Sequence, residues 1–107
     1  MKKSKFKRLQ ELCHEIAIDK GFWQTKEFDN FILDRNDAEL IALIHSELSE
    51  ALEALRHNDW KEVAEEMADT VIRIMDFCEA REIDLEKEIL KKIQKNKKRP
   101  YKHDKSF

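Results

Sequence analysis

Glu47-Leu-Ser-Glu50 and Glu66-Met-Ala-Asp69 set two pairs of carboxylates at i and i+3, embedded in Leu, Ala, Val and Met. Residues three apart on a helix project from adjacent ridges, so each pair converges on one point. On a wheel centred on Glu47, the residues Leu40, Leu43, Ile44, Ala51 and Ala54 fall within about 60° of it, which turns Glu47 toward the core side. A carboxylate on such a face is costly unless a cation meets it. Four carboxylates brought together repel, and hard oxygen donors in that number suit Mg²⁺ or Mn²⁺, leaving coordination positions for water and phosphate oxygens.

The elements that carry these pairs are helical. The chain of 107 residues has one Gly, one Pro and 41% charged residues, too little turn material for a sheet and a composition that favours helix. An all-α fold is expected, a single domain over residues 1–107. The first helix runs from about Ser4 to Lys20 and stops at Gly21. Asn36 with Glu39, and Asp59 with Glu62, have the spacing of capping boxes that open helices reaching about Arg56 and Glu79. Asp84 caps a fourth, which ends before Pro100. Residues 21–36 read as a connecting loop packed by Phe22, Trp23, Phe28 and Phe31. The short link between the second and third helices favours antiparallel packing, which brings Glu47 and Glu50 opposite Glu66 and Asp69. Trp60 is expected in the core, and Glu53, Glu65, Glu79 and Glu82 on solvated faces. Ala68, Ile72 and Met75 lie opposite the charged stripe of the third helix and need cover. The four-helix, bundle-like domain is therefore expected to be completed by oligomerisation.

Charge is distributed unevenly. Residues 1–8 hold five Lys/Arg and residues 91–105 hold eight, whereas residues 9–90 carry a net charge of -14. That acidic middle disfavours a nucleic-acid partner despite the basic ends. No apolar run follows the basic start and no 18-residue apolar segment occurs, so neither a secretory signal nor a membrane span is expected. Cys13 and Cys78 have no metal-type spacing and read as reduced, buried thiols of a cytoplasmic protein.

Lys92, Asn96 and Arg99 share one face at the end of the fourth helix, a row able to hold phosphate oxygens. Glu11-Leu-Cys-His14 has the ExxH spacing of di-iron bundles, but no second ExxH occurs, so His14 reads as a packed or substrate-proximal histidine.

The segments ELSEALEA, EEMADTVIRIMD and KIQKNKKRPYKHDKSF together resemble the MazG-like nucleotide pyrophosphohydrolases, all-α NTP pyrophosphatases, over about residues 9–107. The family motif is EExxE followed by ExxD; here Ser46 stands in the leading Glu position, which leaves four carboxylates. The resemblance implies that Glu47, Glu50, Glu66 and Asp69 are Mg²⁺ ligands and the catalytic set. It implies hydrolysis of a nucleoside triphosphate to the monophosphate and pyrophosphate, with house-cleaning of the nucleotide pool as a role. It also suggests nucleotide contacts from Lys92 and Asn96, an aromatic wall for the base from Trp23 and Phe22, and a homodimer or homotetramer. The competing expectations are a helical interaction module with solvated acidic faces and a carboxylate-bridged, oxidase-like bundle.

Overall fold

Short polar side chains open each helix. The computed structural model describes residues 2–23 and 35–101, with α1 (Lys5–Asp19), α2 (Asp37–Arg56), α3 (Trp60–Ala80) and α4 (Leu85–Lys97). Ser4, Asn36, Asp59 and Asp84 each accept the backbone N–H three residues on, at 3.0, 3.0, 3.1 and 3.1 Å, satisfying amides that have no partner within the helix. At Asn36 only this half of the expected capping box is seen, because the Glu39 carboxylate turns to the Arg35 guanidinium.

The ends of α1, α2 and α3 share one device. In each, a residue of positive φ follows the last turn and the next amide reaches back five residues: Phe22 to Ala17, Asp59 to Ala54 and Ile83 to Cys78, at 3.0, 3.0 and 2.8 Å. The left-handed positions are Gly21 (φ 83), Asn58 (φ 57) and Glu82 (φ 58). Gly suits such a position and Asn tolerates it, but the Cβ of Glu82 is strained there. Glu82→Gly is therefore expected to stabilise the protein by about 1 kcal/mol, read as a higher urea midpoint at unchanged m-value.

α3 is the central element, with α1 and α2 packed against it. The buried apolar set, Cys13, Trp23, Leu40, Ala51, Ala54, Met75 and Cys78, is thin and rich in small residues. Both cysteines are free and buried, and burial pushes the two thiols up. Met75 was expected at an open face; it is buried, with its sulfur 4.0 Å from Cys13 Sγ. Trp60 differs the other way: it is 63% exposed and donates its indole N–H to Asn58 Oδ1 at 3.0 Å, because no described element covers the start of α3.

Glu79, expected in solvent, instead ties α3 to α1. It accepts Lys7 Nζ at 2.8 Å and Gln10 Nε2 at 3.0 Å, and Gln10, 1% exposed, donates again to Ile83 O. The Lys7 hydrogen bond outweighs burial and, with Gln10, holds the Glu79 carboxyl below its ordinary value.

α4 buries none of its residues and is tethered at its start, where Ser4 Oγ donates to Glu86 at 2.7 Å. Ile89, Leu90 and Ile93 stay exposed on it, as do Leu48, Leu52 and Leu55 on α2 and Met67, Val71 and Ile72 on α3. An apolar groove of about 390 Å³ runs between Leu48, Leu52, Leu55, Val63 and Met67. No helix among the described residues is long and apolar enough to cross a membrane. Phe28, Phe31 and the tail beyond Tyr101 lie outside the described residues.

Candidate metal centre

The antiparallel α2 and α3 face their carboxylates toward one another, as the paired i, i+3 spacing requires. Oxygens of Glu47, Glu66 and Asp69 lie within 4.8 Å of one another. Glu50 is outside that trio, on the exposed rim, where it lines a second recess with Glu62 and Glu66.

Burial falls on Glu66 rather than on Glu47. Glu66 is 7% exposed, and its Oε2 is buried without a hydrogen-bond partner. Glu62 within hydrogen-bonding reach pushes the Glu66 carboxyl up, with burial next and then Glu47 and Glu50, to about 8. Ionised neighbours cannot donate to it, so as a carboxylate Glu66 has an orphaned oxygen among like charges. Glu47 escapes that situation because Arg73 Nε stands 3.6 Å from its Oε1.

Such a donor set fits a hard divalent cation. Three carboxylates converge, one of them carries an unsatisfied buried oxygen, and no soft donor is among them.

Beside the centre opens a cleft of about 460 Å³ between the end of α1 and α3. Glu47 and Asp69 line its acidic side, Lys20 and Arg73 its basic side, and Phe22 and Ile72 its apolar wall. Phe22 is fixed by its reach-back amide and by two guanidinium groups against its ring, Arg35 at 4.4 Å and Arg73 at 4.5 Å from the centroid. Arg35 also donates to Phe22 O at 3.0 Å. The cleft thus joins a carboxylate cluster able to hold a cation to positive charge and an aromatic face.

A single match decides the family: residues 35–103 fit the MazG nucleotide pyrophosphohydrolase domain. The chain belongs to the MazG family. The match spans α2, α3 and α4, so it takes in Glu47, Glu50, Glu66 and Asp69 and excludes α1. Comparison with curated proteins and with solved structures finds no match.

In this MazG domain the other residues singled out from sequence sit elsewhere. Trp23 is buried, donating its indole N–H to Asp76 Oδ1 at 3.0 Å, and so offers no face to the cleft; Phe22 is the aromatic there. His14 Nδ1 lies 2.7 Å from the same Asp76 oxygen and meets Trp23 edge-on, a packed position that does not line the cleft. Lys92, Asn96 and Arg99 are exposed on and just beyond α4, and none lines either recess that holds the carboxylates. Sequence reasoning passed over Lys20 and Arg73 as site residues; of the aromatic wall expected from Trp23 and Phe22, Phe22 is the half that reaches the cleft. For Arg73 a signal existed, since i+4 from Asp69 places it on the same ridge; for Lys20 none did, because its approach depends on how α1 packs.

Proposed function

We propose that this MazG domain is a Mg²⁺-dependent pyrophosphohydrolase that cleaves a nucleoside or deoxynucleoside triphosphate between the α and β phosphates, clearing unwanted nucleotides from the cytoplasm. The observation that carries this reading is the buried, unpartnered oxygen of Glu66 converging with Glu47 and Asp69 beside a cleft that Lys20 and Arg73 also line. Those three residues would hold the cation, with Glu50 as a fourth ligand whose second oxygen orients the attacking water. The bound cation supplies charge neutralisation on the phosphates and a more acidic water. The water oxygen would bond to one phosphorus of the α–β anhydride as the bridging P–O bond breaks, the bridging oxygen leaving with the other product and the water's proton passing to solvent, which gives the monophosphate and pyrophosphate. Phe22 and Ile72 cover the base, and Lys20 faces the phosphates.

Free buried thiols support a reducing cytoplasm. Lys92, Asn96 and Arg99 are assigned to phosphate oxygens by the same reading. Since none lines the cleft of its own chain, that assignment requires another copy to bring α4 into place. Homo-oligomerisation is further supported by the uncovered apolar groove on α2 and α3. Light scattering at micromolar concentration is expected to give a dimer or tetramer, and a lone monomer would refute it.

The direct test is a panel of standard, deoxy and modified nucleoside triphosphates with Mg²⁺, assayed for pyrophosphate. Orthophosphate as the first product would rule out α–β cleavage, and indifference to metal and nucleotide alike would favour an interaction module.

A further inference from the structure

Arg73 occupies an unusual position in the cleft. It lies one turn beyond Asp69 on α3, its Nε is 3.6 Å from Glu47 Oε1, and its guanidinium rests against Phe22. The distance to Glu47 makes this a loose ion pair rather than a hydrogen bond. Arg35, the other guanidinium at Phe22, is held by Phe22 O and by Glu39. Arg73 therefore keeps its rigid stacked face while its charge is only lightly committed.

We propose that Arg73 is the anion-positioning residue of the cleft and stands in for the divalent cation at Glu47 until that cation arrives. This rests on the reading of Glu47, Glu66 and Asp69 as a cation site. A divalent ion there takes over the charge of Glu47, and the guanidinium, still stacked on Phe22, is released to a di- or triphosphate oxyanion entering beside Lys20. A planar fork suits two oxygens of such a chain better than an ammonium does. Metal and anion are thereby coupled: metal binding frees the anion donor, and by reciprocity an anion that engages Arg73 strengthens the metal.

The test uses the full chain with two probes, Mn²⁺ alone and inorganic pyrophosphate at saturating Mn²⁺, both by calorimetry. Arg73→Gln is expected to bind Mn²⁺ alone about two- to fivefold more tightly, the scale of a partly exposed ion pair lost as a competitor. The same variant should bind pyrophosphate about 10- to 100-fold more weakly, the scale of charge-assisted hydrogen bonds. Arg73→Lys, which keeps the charge and the chain length, should fall between wild type and Gln on both measures. Opposite signs on the two probes separate this role from simple loss of packing, which would weaken both. Unchanged or weaker Mn²⁺ binding by Arg73→Gln, or unchanged pyrophosphate affinity, overturns the assignment. Should wild type itself fail to take up Mn²⁺, the cation site falls, and the role of Arg73 with it.

Discussion

Asp69→Asn is expected to lower pyrophosphate release by at least about 10²-fold while the helical circular dichroism stays at the wild-type value, a loss on the scale of removing one preorganised electrostatic group. Asp69 is exposed at the cleft, where it shares a 4.8 Å cluster with Glu47 and Glu66, so the amide removes a ligand charge without disturbing a core contact. Glu50→Gln, on the exposed rim, should behave in the same way. Glu53→Gln serves as the control: among the described residues its carboxylate pairs with Arg56 and His57, at 3.3 and 3.2 Å, and it stands outside the 4.8 Å cluster. Near-normal release by Asp69→Asn would remove the mechanism from the carboxylate centre altogether.

Glu66→Gln is expected to raise the melting temperature of the metal-free protein by several degrees and to abolish the stabilisation that Mg²⁺ gives wild type. An amide can donate to the neighbouring carboxylates, whereas the native carboxylate leaves Oε2 orphaned among them. The pH dependence fixes the sign. The folded carboxyl titrates at about 8 against an ordinary 4.5, so between these values folding takes up a proton. Metal-free wild type thus has the full contribution of the protonated group below 4.5 and loses it as pH rises to about 8. Glu66→Gln should show a flatter profile, with its advantage greatest at the alkaline end. Mg²⁺ works against the trend, since binding the ionised form stabilises the native state more as pH rises. Parallel pH profiles for the two proteins would contradict the burial of charge at Glu66.

What could be read in advance was local. Capping at Asn36, Asp59 and Asp84 and termination at Gly21 depend on residues three to five apart, and helical registry with the short link between α2 and α3 set Glu47 opposite Glu66 and Asp69. What escaped depends on partners distant in sequence. Glu79 is 72 residues from Lys7, and no helical pattern marks that pair. Trp60 is apolar and sits at the head of a helix, yet its exposure depends on which elements fail to cover it. Arg73 beside Glu47, and not beside Glu66, depends on how α3 packs against α2, and the cleft itself exists only where the end of α1 meets α3.

The contrast between Trp23 and Trp60 gives the molecule two optical reporters of opposite character. Trp23, enclosed with His14 against Asp76, is expected to emit from a buried, hydrogen-bonded setting, and Trp60 from water. Iodide is expected to quench the second and spare the first, which would leave the fluorescence of the α1–α3 junction alone. Asp76 lies seven residues beyond Asp69 on α3, about two helical turns, and Trp23 is therefore hydrogen-bonded to the same rod that carries the cation ligand. The quenched spectrum becomes a built-in gauge of whether cation binding tightens that rod.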